Sequence, residues 1–185
     1  MNVGRRRERS EYLEMAKRLS VYAVIMFLLA IVQNSFLSRL NILPVTPCLV
    51  IGAVAVIAVI DSMETAAIGG IVGGLMTDAL GGDGIYLSPL FFFITALLVA
   101  VFASKMMTAF PSFMALMPIA CLTNGGLTLL RIFLLYGTVE WGHVALRVLL
   151  PEFICVFCFA LPLYPLIRLC VLPMLRRGAI MKGVI

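Results

Sequence analysis

The chain has 185 residues, of which 63% are hydrophobic and 12% charged, with a formal net charge of +5. A soluble domain is about 45–50% apolar and about 25% charged, so this composition excludes a surface kept wet all round. A helix crossing a bilayer core of about 30 Å needs roughly 20 residues, which leaves length for about six crossings and no stretch for a soluble domain.

The expected architecture is therefore an all-α membrane bundle. A basic leader covers 1–18, a six-helix transmembrane domain 19–172 and a basic tail 173–185. Arg5, Arg6, Arg7, Arg9, Lys17 and Arg18 precede the first apolar run, and Gln33-Asn34-Ser35-Phe36 after it is no small-x-small cleavage site. That run reads as a retained anchor rather than a signal peptide.

The first segment covers Leu19 to Leu37 and the second, a short one, Pro47 to Ile60. The third runs from Thr65 to Leu80 and is rich in glycine; the fourth runs from Ile85 to Ala103. The fifth covers Phe113 to Tyr136 and the sixth Pro151 to Cys170. Pro44, Pro47 and Gly81-Gly82-Asp83-Gly84 mark loops, because proline and clustered glycine interrupt helices. Pro151-Glu152 suits a first helical turn, where proline loses no hydrogen bond and an acid meets the positive end of the dipole. His143 to Leu150 is either the top of the sixth helix or a separate short helix at the interface. With the sixth span starting at Pro151, Trp141, His143 and Arg147 sit on an interfacial segment.

Basic residues set the orientation. With an even number of spans, the tails and the loop holding Lys105 carry eleven Lys and Arg, against Arg39, Arg131 and Arg147 on the other side. This positive-inside bias predicts two cytoplasmic termini. The net charge reports topology and attraction to anionic lipid heads. Nucleic acid is not an expected partner.

Gly69/Gly73 and Gly70/Gly74 form two overlapping GxxxG pairs, with Asp78 four residues beyond Gly74 on the same face. Small residues at this spacing let helices approach closely in lipid. The partner helix is either internal or another protein's. Asp78 either reaches interfacial water or has a partner, for which Arg131 is the candidate. Asn124, Thr128 and Arg131 form a polar stripe on the fifth segment that points into the bundle, and a salt bridge of Arg131 with Glu152 is expected there.

Five cysteines lie in apolar stretches and read as small hydrophobic residues. Cys155-Val156-Phe157-Cys158 matches CxxC only formally, because redox and zinc sites need accessible thiolates and further ligands. No phosphate loop, serine–histidine–acid set or catalytic carboxylate pair is present in the sequence. The sequence predicts no enzymatic activity, no cofactor and no metal.

The run Gln33-Asn34-Ser35-Phe36-Leu37, the loop Leu43-Pro44-Val45-Thr46-Pro47, the glycine-rich segment ending in Asp78, the turn Gly81-Gly82-Asp83-Gly84, Leu150-Pro151-Glu152 and Leu161-Pro162-Leu163-Tyr164-Pro165-Leu166-Ile167-Arg168 together resemble the rod shape-determining MreD family over nearly the whole chain. Cys48 departs from the pattern, since members often carry an acid after this proline. The resemblance implies a bacterial inner-membrane scaffold without enzymatic activity, with a fold similar to the substrate-binding subunits of energy-coupling-factor transporters. It implies an MreC-like single-span partner and, indirectly, a RodA-type glycosyltransferase, its transpeptidase and MreB filaments. The face of Gly70, Gly74 and Asp78, with neighbouring helices, is the expected dock for the MreC-like helix.

The main rival is a substrate-capturing subunit of a vitamin or metal transporter. Those proteins present AxxxA faces on the first helix, whereas here the clear instance is Ala96 to Ala100 in the fourth segment. A lipid-modifying acyltransferase lacks a nucleophile and base.

Overall fold

A computed structural model describes the backbone of residues 2–37, 48–81, 86–106, 109–137, 142 and 145–181. Side chains are described for 12–35, 48–81, 86–106, 110–135, 137, 142 and 147–172. The Pro44–Pro47 loop, the Gly82-Asp83-Gly84 turn, Arg39, Trp141 and His143 lie outside the described residues.

Six α-helices are present among the described residues: α1 (Asn2–Val32), α2 (Leu49–Ile60), α3 (Met63–Gly81), α4 (Ser88–Ala103), α5 (Ala109–Tyr136) and α6 (Leu150–Met181). π-helical turns at Gln33–Leu37 and Ala145–Leu149 continue α1 and introduce α6. The boundaries differ from the sequence expectation mainly at the ends. The basic leader and the first apolar segment share one continuous helix, α1, from Asn2 onward. α6 begins at Leu150, one residue before the expected Pro151. The π-helical turn that holds Arg147 feeds directly into it, and Pro151 occupies its second position.

Among the described residues, three stretches are long and apolar enough to cross a membrane: Tyr12–Ser35, Phe110–Leu135 and Arg147–Leu172. α2 and α4 are apolar but shorter. At 1.5 Å per residue the twelve residues of α2 rise only about 18 Å.

The short helix is the centre of the molecule. α2 packs against all five other helices, and these form a ring in the order α1, α3, α4, α5, α6 and back to α1. Every residue from Leu49 to Ala58 is buried. A helix apolar on every face has no side for water, and enclosure by neighbours satisfies it. The ring reverses the pattern of a soluble protein. Val24, Leu28, Leu90, Leu122 and Ile154 are exposed, whereas Thr65, Asp78, Ser88, Thr95, Asn124 and Glu152 are buried.

The two glycine pairs of α3 serve different neighbours. A Cβ on Gly70 would lie 2.7 Å from the carbonyl oxygen of Phe92, and one on Gly74 would lie 2.4 Å from Cα of Pro89, both in the α4 backbone. A Cβ on Gly73 would meet Met26 of α1 at 2.9 Å and Val50 of α2 at 3.1 Å, while Gly69 faces Met26 at 3.5 Å. Close packing through missing side chains thus joins α3 to α4 on one face and to α1 and α2 on the other. The expected docking of a partner helix on the Gly70/Gly74 face is corrected here, because α4 fills it.

Candidate functional site

The polar interior gathers at the end of the bundle where α1 gives way to α2 and α3 to α4. The first of these helices contributes through its π-helical turn. Gln33, buried there, accepts the Leu49 N–H on its Oε1 at 2.8 Å. The N-cap residue of α2 is Cys48, whose side chain makes no capping bond, so Gln33 satisfies one of the open donors that every helix start exposes.

In the last turn of α3, Asp78 is bonded on both oxygens. Oδ2 accepts the Ser88 N–H at 2.9 Å, and Oδ1 accepts from Arg131 Nη2 at 2.5 Å. The same Nη2 lies 2.7 Å from Ser88 Oγ. One guanidinium on α5 and one carboxylate on α3 therefore hold the start of α4 between them. The Asp78 side chain is 2% exposed and that of Arg131 22%, so the acid is desolvated while the base reaches toward the open end.

Glu152, in the first turn of α6, is buried. Asn124 Nδ2 donates to its Oε1 in a very short contact. Thr128 Oγ1 lies 3.2 Å from both carboxylate oxygens and donates to that pair. The stripe read from the sequence points inward as a unit, because offsets of four and three share one helix face. Its partners are divided, however. Arg131 pairs with Asp78, and Glu152 is held by the neutral donors Asn124 and Thr128. The expected Arg131–Glu152 salt bridge is not formed: Arg131 and Glu152 are more than 4 Å apart as an ion pair, and the nearer acid wins.

Gln33, Ser88, Asn124, Thr128, Arg131 and Glu152 line a cavity of about 490 Å³, together with Asn34, Cys48 and Thr77. Both π-helical turns lie at this end. Such turns are rare and tend to occur at functional sites, since the extra residue redirects side chains.

A second cluster sits at the opposite end of α2, and the sequence reading passed over it. Asp61 receives Arg18 Nη1 at 2.8 Å, Tyr22 Oη at 3.0 Å and the Ser62 N–H at 2.7 Å. Its signal was an acid directly after an apolar run, matched by a base and a phenol four residues apart on the first helix. Both ends of the short central helix thus carry a polar clamp that ties it, or the turn beside it, to α1.

Of the CxxC pair, Cys155 is half-buried and Cys158 exposed on the outer face of α6, and all five cysteines are free. No group of three or more His, Cys, Asp or Glu is placed to hold a metal ion among the described residues. No family model, curated protein or solved structure matches the chain.

Proposed function

We propose that the chain is a non-enzymatic integral-membrane scaffold of a bacterial wall-elongation complex, with six helices crossing the inner membrane and both termini in the cytoplasm. It docks an MreC-like single-span protein and through it serves a RodA-type glycosyltransferase, a transpeptidase and MreB filaments. The observation that supports this reading is the use made of the polar residues. Asp78 binds Arg131 and Ser88, and Glu152 binds Asn124 and Thr128, so each buried acid fastens one helix of the bundle to another. A frame fixed in this way presents surfaces to other proteins. The segments that carry the resemblance converge on one end although they are far apart in the chain: Gln33 and Glu152 line the cavity, and Asp78 bonds to Arg131 in its wall. Since α4 occupies the Gly70/Gly74 face, the partner's surface lies elsewhere on the ring.

The test is affinity capture of the full-length protein from native membranes. Recovery of an MreC-like protein with wall synthases is expected. Recovery of transporter ATPase subunits in their place overturns the reading.

The cavity of about 490 Å³ favours a second reading, a substrate-capturing subunit of an energy-coupling-factor transporter. Mass spectrometry of small molecules released from the purified protein separates the two. A stoichiometric vitamin supports capture, and the accompanying genes discriminate further: MreC and MreB for shape, ATPases for transport.

A further inference from the structure

Between α5 and α6 runs a second depression of about 210 Å³, on the apolar exterior of the ring. Its rim is Leu122, 70% exposed, and Phe153, 37% exposed, and Gly125 and Gly126 leave its floor without side chains. At its inner end lie Asn124 and Glu152, which also line the polar cavity. The hydrogen-bonded Asn124–Glu152 pair is therefore a shared wall, apolar groove on one side and polar chamber on the other.

Charge decides what such a wall recognises. Two charged side chains line the chamber, Arg131 and Glu152, and Arg131 forms an ion pair with Asp78, which lies outside the lining. Glu152 has no cation within 4 Å among the described residues, and its bonds come from an amide and a hydroxyl. Among the described residues only Thr128 reaches Oε2, while a carboxylate oxygen has room for two donors. A water-soluble cation would match the chamber but not the groove, and a hydrocarbon would match the groove but not the chamber.

We infer that the α5–α6 groove and the cavity behind it bind one membrane phospholipid with a primary-ammonium head, its chain lying over Gly125 and Gly126 and its ammonium bonded to Glu152. This inference needs the chain to be in a membrane, but it does not depend on which partners the bundle serves.

The experiment uses the full-length protein in detergent, mixed with equal amounts of phosphatidylethanolamine and phosphatidylglycerol and read by native mass spectrometry. One retained lipid per protein is expected. A charge-assisted hydrogen bond gives the ethanolamine lipid a preference of about tenfold. Glu152→Gln removes the preference. Gly125→Leu removes retention of both lipids, because a Cβ there already points at Leu149 Cδ2 at 3.2 Å and a longer side chain fills the groove. Should Glu152→Gln fail to elute as the parent does, Gly125→Leu on the floor and Leu122→Trp on the rim carry the test. No retained lipid, equal retention of both head groups, or retention indifferent to the variants overturns the inference. Lipid retention without recovery of wall synthases keeps it and sinks the scaffold. A soluble metabolite in place of the lipid overturns it and favours capture.

Discussion

Asp78 and Arg131 are 53 positions apart in the chain and meet at 2.5 Å between the end of α3 and the C-terminal part of α5. Each alone is costly in an apolar setting, and the pair is tolerable because the remaining lone pairs of the carboxylate are used by the Ser88 N–H. Three helices are joined through a single acid. The Gly70/Gly74 contact lies just below it on the same face, so packing and polarity fix the α3–α4 hairpin together.

Loss of the acid is expected to cost more than loss of its charge. Asp78→Ala strands Arg131 and Ser88 together, at about 3–5 kcal/mol for a broken buried pair, toward the lower end because Arg131 is 22% exposed. Asp78→Asn keeps an acceptor for Ser88 and falls between Ala and the parent. Exchanging the two residues restores attraction but puts a guanidinium where Ser88 needs an acceptor, so rescue is partial. Thermal midpoints in one detergent check the order. Complete rescue would refute the role given to Ser88.

The four glycines of α3 are not equivalent. Gly74→Ala and Gly70→Ala push a methyl group into the α4 backbone, at 2.4 Å and 2.7 Å, and are expected to destabilise by the about 1–3 kcal/mol typical of overpacking. Gly69→Ala meets only the flexible end of Met26 at 3.5 Å and is tolerated. Equal effects at positions 69 and 74 in denaturant or thermal melts would contradict the packing described.

At the other end, Tyr22→Phe removes one donor from Asp61 and is expected to cost about 1.5–3 kcal/mol, the range for a bond to a charged group. Asp61→Ala leaves Arg18, Tyr22 and the Ser62 N–H without their acceptor and costs more. Loosening of α1 is the structural consequence. Proteolytic release of the amino-terminal helix reports it directly, and unchanged protection in Asp61→Ala would refute the clamp.

Thiol labelling checks the ring. In single-cysteine variants, an apolar maleimide is expected to react with Cys158 and Cys170, which are exposed, well before Cys48 and Cys121, which are buried. Early reaction at Cys48 would mean that α2 is not enclosed.

Much of the architecture was legible from composition, because apolar runs broken by proline and glycine mark helices whatever surrounds them. The inward stripe at Asn124, Thr128 and Arg131 was legible for the same reason, since helical periodicity fixes which residues share a face. Asp61 was not, as an acid in the turn between two helices looks like any interfacial charge until α1 is placed against it.

The sequence by itself determined that oily helices would form, which faces would be polar and that the α3 glycines would touch something closely. Tertiary structure alone decided what they touch. Spacing along a helix specifies direction but not neighbour, so only the ring around α2 assigned Gly70 and Gly74 to α4, Arg131 to Asp78 and Glu152 to two uncharged donors.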